Sequence, residues 1–405
     1  MGILVGVMSA AATPAVVLLC WRDLDHPQGG GSERYVQRVG AELARRGARV
    51  TLLTAAFPGC DDEVTVDGVR IVRRGGRLSV YPRALMLLLG ARVGLGPLRG
   101  ASPDIVVDTQ NGVPFFASLV TRRVVVLVHH CHREQWPVAG PLLSRVGWWI
   151  ESRLSPWIHR RRRYVTVSEP SRTELIALGV DEDRVTVVRA GIDPPLSVEA
   201  MPSGHRLVVL SRLVPHKQIE HALDAVAALR DDVPGLGLDV VGGGWWDAEL
   251  RAHARSLGVA DRVVFHGHVS EERKHELLAG ARVHLMPSRK EGWGIAVIEA
   301  AQHGVPTIGY RASAGLTDSI DDGVTGLLVD SRDDLIAATR TLLADPAVTR
   351  SLGSAAREAA QGYSWSATAD GFDEVFGRVN PLFVSGSGAE VLDPIAPAPR
   401  SLNQR

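Results

Sequence analysis

The feature that most constrains this chain is residues 287–304, P-S-R-K-E-G-W-G-I-A-V-I-E-A-A-Q-H-G. Just before it, residues 282–286 alternate around Val283 and Leu285 and stop at Pro287, as a strand does. After its glycines, residues 295–303 read as a short, mostly apolar helix with Gly304 as its cap and Pro306 beyond. Strand, glycine-rich turn and apolar helix in that order predict an α/β layer structure. Two carboxylates, Glu291 and Glu299, frame the turn. On one helix their α-carbons would lie roughly 12 Å apart, wider than the about 5–9.5 Å of hydrolytic carboxylate pairs. That spacing suits two groups holding opposite ends of one long ligand, or else two unrelated glutamates at a surface and a helix start. Gly292 and Gly294 would let backbone approach such a ligand. The amides opening the helix suit an anion such as a diphosphate. Glu299, set among Val297, Ile298, Ala300 and Ala301, needs a hydrogen-bonding partner, and a pair of ribose hydroxyls would serve.

With 405 residues the chain is long enough for two α/β domains. Zero net charge argues against a nucleic-acid binder. The charge is unevenly spread: residues 1–195 hold 25 Arg and no Lys against 18 acidic residues, the remainder 20 basic against 27 acidic. Cys20, Cys60 and Cys131 show no paired spacing, as in a reducing compartment. The first 20 residues carry no charged side chain, but they lack a basic leader region and Pro14 breaks the run. Residues 15–21 therefore read as a first buried strand rather than a signal sequence. No later stretch offers 18 uncharged apolar residues for a membrane span. A cytoplasmic protein is expected.

In the amino-terminal half, D-H-P-Q-G-G-G-S-E-R precedes a helix with Val36, Val39 and Leu43 on one face. A glycine loop (Gly30, Gly31) against a helix start is a common phosphate cradle, or simply a mobile loop. Its spacing matches neither the dinucleotide fingerprint nor a Walker loop. Asp67-Gly68 inside residues 64–72 predicts a hairpin. A strand at 104–108 runs into T-Q-N-G, which makes Gln110 and Asn111 acceptor-pocket candidates, with plain turn chemistry the alternative. The apolar strand 124–128 delivers H-H-C-H at 129–132. Neighbouring side chains on an extended segment diverge and no second cluster completes a shell, so no metal site is read there. A strand-end histidine can instead donate to a ligand oxygen. Residues 144–159 predict a tryptophan-bearing helix kinked at Pro156 and followed by four arginines. That pattern is either core beside solvated charge, or a peripheral contact of residues 144–163 with an anionic inner membrane face.

Residues 191–204 read as a linker. A second α/β alternation then opens with a strand at 206–210 and S-R-L-V-P-H-K. Lys217 is expected in the first turn of the next helix, the wrong end for a cation unless an anion binds there. Arg212 could join it in clamping a diphosphate. A last helix over 364–376 has Ser364 as N-cap, and the Pro-, Ser-, Gly- and Ala-rich tail 381–405 is expected to be disordered.

These motifs resemble the retaining glycosyltransferases of the GT-B fold, family 4 group. E-G-W-G-I-A-V-I-E at 291–299 is similar to that family's E-x7-E signature, and R-L-V-P-H-K-Q at 212–218 to its diphosphate-holding Arg and Lys. G-G-S-E-R at 30–34 resembles its amino-domain glycine loop, and H-H-C-H its strand-end histidine. The resemblance implies two Rossmann-like doubly wound domains facing across a cleft: an acceptor domain (1–195), a nucleotide-sugar domain (205–362) and a helix crossing back (363–380). It implies that Glu299 holds ribose, Glu291 the transferred sugar, and Gly292, Trp293, Gly294 and Ile295 line sugar and phosphate. Arg212 and Lys217 would stabilise the leaving diphosphate, with Gly30 and Gly31 facing it. His129 would stand by the reacting sugar, with His130 as runner-up and Gln110 and Asn111 toward the acceptor. No cofactor or metal and no protein nucleophile is implied. The acceptor is left open among lipid-linked, glycan and small natural-product classes. The competing readings are a GT-B nucleotide-sugar epimerase and a catalytically silent nucleotide-sugar binder.

Overall fold

A computed structural model describes residues 13–99, 103–136, 140–198 and 204–383. The tail at 384–405 and part of the linker lie outside the described residues. The first domain is built on β1 (Ala15–Leu19), β2 (Arg49–Thr54), β3 (Glu63–Val66), β4 (Val69–Arg73), β5 (Ile105–Gln110), β6 (Val124–Val128), β7 (Arg163–Thr166) and β8 (Val185–Val187). They form an eight-stranded sheet in the order β3-β4-β2-β1-β5-β6-β7-β8. All neighbours are parallel except β3 and β4. That hairpin turns at Asp67 (φ 49°) and Gly68 (φ 78°), the two left-handed residues a type I′ turn needs. Strands such as β6, apolar along its whole length, are buried because helices cover both faces of a parallel sheet.

The second domain holds β9 (Arg206–Leu210), β10 (Gly237–Val241), β11 (Val263–Gly267), β12 (Val283–Met286), β13 (Thr307–Tyr310) and β14 (Gly326–Val329). Their order is β11-β10-β9-β12-β13-β14, all parallel. Numbered within the domain this is 3-2-1-4-5-6, the doubly wound arrangement. The order of strand addition reverses between β9 and β12, and in the first domain between β1 and β5. Both reversals open a crevice at the strands' carboxyl ends, where ligands of such sheets bind.

The helix Trp365–Val379, capped by Ser364 Oγ on Ala367 N (3.1 Å), leaves the second domain and packs on the first. Tyr35 of the helix Gly31–Arg45 meets its Trp365 and Phe372 rings. Arg46 bonds its Asp370 and Asp373 at 2.6 and 2.8 Å.

Two local expectations need correction. The tryptophan-bearing segment does not simply kink at Pro156. The helix Pro141–Trp149 passes into a π-helical turn, Ile150–Leu154, before Ser155–Ile158. Proline cannot donate to the carbonyl a turn earlier and its ring crowds that carbonyl, so the ladder widens upstream of it. Lys217 is not in a helix first turn either. It ends a 3₁₀ turn, Pro215–Lys217, and Gln218 at φ 49° separates it from the helix Glu220–Leu229.

Candidate active site

The two crevices face each other and enclose a cavity of about 610 Å3. Its wall from the first domain includes Gly30, Gly31, Arg34, His129 and His130. The second domain supplies Arg212, Lys217, Lys274, Glu291, Gly292, Trp293, Gly294, Ile295 and Glu299.

The motif at 291–299 is shaped by its glycines. Gly294 caps the helix Ile295–Gln302 at φ 95°, a left-handed conformation that glycine adopts without strain. A β-carbon on Gly292 would lie 2.8 Å from the His129 carbonyl oxygen, so backbone meets backbone across the cleft there. Glu291 precedes the helix, its amide donating to Ser313 O at 3.3 Å, so the two carboxylates do not share one helix as the 12 Å estimate assumed.

Glu291 Oε1 accepts from Lys217 Nζ at 2.5 Å. Burial alone would raise the Glu291 carboxyl, but Lys217, with Ser288 and His216, holds it below its ordinary value. Glu299 does find the partner its apolar helix demands, within the protein itself. Its Oε1 accepts from Lys274 Nζ at 2.7 Å and from Arg34 Nη1 at 3.4 Å. Arg34 comes from the opposite domain and also reaches Asp193 (2.7 Å) and Glu271 (3.2 Å). The carboxylates press its pKa upward against the effect of burial.

Arg212 differs from these cations. Among the described residues its guanidinium has no hydrogen-bond or ion-pair partner. Burial and the neighbouring Arg22 push its pKa down. A β-carbon on Gly30 would stand 3.4 Å from Arg212 Nε, and one on Gly31 3.5 Å from Ile295 Cδ1. The glycine loop of one domain thus faces the arginine and helix start of the other. Glu33 fixes that loop, accepting from Gly30 N at 2.9 Å while paired with buried Arg22 at 2.9 Å. An unpaired guanidinium, a helix terminus and a glycine loop converge where an anion would sit.

His129 is 8 % exposed, and neither ring nitrogen has a partner among the described residues. Burial lowers its pKa to about 4, so it is neutral at pH 7. His130 lies beside it, its Nε2 2.9 Å from Gln135 Nε2, and burial likewise keeps it neutral. Gln110 and Asn111 are not on the cavity wall. Gln110 is 2 % exposed and accepts from Ser155 Oγ at 2.6 Å, and Asn111 Nδ2 stands 3.9 Å from Cys20 Sγ. Neither lines this cavity as an acceptor pocket would, and Gln110 is not in a turn either: β5 continues through it and buries its side chain.

Residues 202–359 match the family of glycosyl transferases group 1, and residues 29–196 match Glycosyltransferase Family 4. The chain is 30% identical over 363 residues to a GDP-mannose-dependent alpha-(1-6)-phosphatidylinositol monomannoside mannosyltransferase of Mycolicibacterium smegmatis, covering 84% of this chain and 92% of that protein. This chain belongs to the GT-B glycosyltransferases of family 4. It is also 28% identical over 387 residues to a glycogen synthase of Mycobacterium tuberculosis, covering 86% of this chain and 91% of that one. Sucrose-phosphate synthase from Thermosynechococcus elongatus shares the fold at a TM-score of 0.75 and 20% identity, covering 90% of this chain and 99% of that structure. Anabaena HepE in complex with UDP and glucose shares it at 0.69 and 18%, with the same coverage of 90% and 99%.

Sequence reasoning about this glycosyltransferase singled out Lys217 but missed Lys274, Lys290 and Arg34, of which Lys290 and Arg34 pair across the cleft. The chain has three lysines, Lys217, Lys274 and Lys290, and all three line the cavity. Each is paired with a glutamate: Glu291, Glu299 and, for Lys290, Glu174 of the first domain. Basic positions are otherwise all Arg, so the scarcity of Lys was a readable signal. Lys274 bonds two carboxylates, Glu271 and Glu299, from one compact ammonium, which suits a crowded site better than a planar fork does.

Proposed function

We propose that this glycosyltransferase moves a sugar from a nucleoside-diphosphate sugar to a hydroxyl acceptor with retention of anomeric configuration. The observation that carries the reading is Arg212, a guanidinium without a partner, set between the glycine loop and the helix start and flanked by the Lys217–Glu291 pair. Residues 205–362 would hold the donor, residues 1–195 the acceptor, and residues 363–380 tie the two. Glu299 would take the ribose hydroxyls through Oε2, since Oε1 already bonds two cations. Glu291 would take the transferred sugar's hydroxyls.

In the proposed step the acceptor oxygen bonds to the anomeric carbon on the face the phosphate leaves. The carbon–oxygen bond to the diphosphate breaks, and the acceptor's proton passes to the departing phosphate oxygen. Arg212, Lys217 and the amides at Ile295 would stabilise the charge on that diphosphate, so no metal and no protein nucleophile is invoked. Neutral His129 would donate to the reacting sugar. The mannosyltransferase relative makes GDP-mannose the first donor to try.

A membrane-surface contact at residues 144–163 is favoured by a specific observation. Trp149 and Trp157 are 54 and 63 % exposed among exposed Arg145, Arg153, Arg160 and Arg161, with Leu142 and Leu143, 73 and 62 % exposed, just before that segment. Arg160 stacks over Trp157 at 5.4 Å. Exposed apolar side chains ringed by arginine suit an anionic lipid surface, consistent with a cytoplasmic protein held at the inner membrane face. No described helix is long and apolar enough to cross a membrane.

The test is thermal shift with GDP-mannose, UDP-glucose and their nucleoside diphosphates, then donor hydrolysis without acceptor, with and without a chelator. One donor should raise the melting temperature, and that shift should vanish in Glu299→Ala and Lys217→Ala. Binding without any turnover would favour a silent binder, and release of an epimerised sugar would favour an epimerase. No binding at all would overturn the reading.

A further inference from the structure

We propose that Glu151, outside the cavity, is a positioning residue for the reaction proposed above: it sets the histidine loop against the reacting sugar. The inference rests on that reading of the site. Glu151 lies in the π-helical turn Ile150–Leu154, and its side chain is fully buried. Such turns insert an extra residue into a helix and re-aim the side chains around it. Here the re-aimed group is a carboxylate that takes three donors from one loop. Oε1 is 3.0 Å from His132 N and 3.0 Å from His132 Nδ1, and Oε2 accepts from Trp136 Nε1 at 2.7 Å.

Those bonds fix residues 132 and 136, directly after the strand end that carries His129 and His130 to the cavity. His132, held by Glu151, packs its ring against His130 at 4.5 Å, and His130 in turn meets Gln135. Trp136 closes the other end. A β-carbon on Gly147 of the helix would come 2.3 Å from its ring, and one on Gly112, after β5, 2.9 Å. The indole is therefore wedged between two glycines with one polar atom, and that atom bonds Glu151. Loops that meet substrate are ordinarily mobile. In this one a single buried carboxylate pins residues 132 and 136, and through the His132–His130 ring contact and the Gln135–His130 bond it backs His130 and, beside it, His129, whose ring nitrogens have no partner among the described residues. The neutral isostere separates the role of charge from that of shape. In Glu151→Gln the amide must turn an N–H toward one of two obligatory donors, His132 N or Trp136 Nε1, and one bond is lost.

The experiment uses the full chain. The parameters kcat and donor KM are measured for hydrolysis of GDP-mannose and of UDP-glucose. Wild type, Glu151→Gln, Trp136→Phe and the double variant are compared. Expected is a fall in kcat of about 10- to 100-fold in Glu151→Gln, with donor KM within about twofold because the proposed nucleotide and diphosphate contacts Arg212, Lys217 and Glu299 lie on the other domain. Trp136→Phe keeps the wedge and loses the same bond, so its kcat falls too, and the two losses combine to less than their product. Unchanged kcat in both single variants, or a loss that appears equally in KM, overturns the inference while leaving the proposed function standing. Absence of binding and turnover in the wild type overturns both.

Discussion

Removing Lys217 should expose how the site balances its charges. In Lys217→Ala, Glu291 loses the ammonium 2.5 Å away while staying 9 % exposed. Breaking a buried pair from one side costs about 3–5 kcal/mol. Both side chains open onto a cavity that water can enter, which reduces the cost to about 2 kcal/mol. For a domain of this size that lowers Tm by about 4–8 °C. The pH dependence carries the sign. In the wild type Glu291 titrates below its unfolded value, so the pair's contribution is present above that value and lost as pH falls through the folded one. Without Lys217, burial, already the largest influence, is opposed only by Ser288 and His216, and the carboxyl moves upward. The variant's deficit should then be largest near pH 7 and shrink toward about pH 4, where an unfolded glutamate also protonates. Nucleoside-diphosphate affinity should fall about 10- to 100-fold through loss of a charge-assisted bond. Differential scanning fluorimetry at two pH values and calorimetric titration with GDP and UDP read both. A deficit that grows on acidification would refute the coupling.

His129→Ala should cut kcat about 100-fold with nucleotide affinity intact. Because burial lowers its pKa to about 4, the wild-type rate should show no break near pH 6.5; one there would mean the ring titrates in the site. Gly292→Ala puts a methyl 2.8 Å from the His129 carbonyl and should hold the cleft open. Donor hydrolysis should fall at least about tenfold while nucleotide binding persists, with a larger radius of gyration by X-ray scattering. Joint replacement of Trp149 and Trp157 by serine should weaken co-sedimentation with anionic vesicles, as should high salt, and leave Tm within about 1 °C, since both side chains are exposed.

The local units were legible along the chain. Hydrophobic runs such as 124–128 mark buried parallel strands, Asp67-Gly68 marks its hairpin, and the residues at 287–304 mark strand, turn and helix. Each depends on interactions within a few positions of chain. The same locality made Glu291, Glu299, Arg212, Lys217 and the histidine segment readable as site residues, because strand ends and glycine turns face the crevice of a doubly wound sheet. Locality failed where side chains choose partners far along the chain. Arg34 meets Glu299 across 265 positions, and Lys290 meets Glu174 across 116. Gln110 turned inward to Ser155 instead of toward the cleft, a choice made by two extra residues of strand. The π-helical turn that aims Glu151 arises from crowding at Pro156, and its partners lie in another loop. Which ions pair across the cleft was decided by the docking of two separately wound sheets, because a charge buried by that docking must find its counter-charge on whichever surface arrives opposite it.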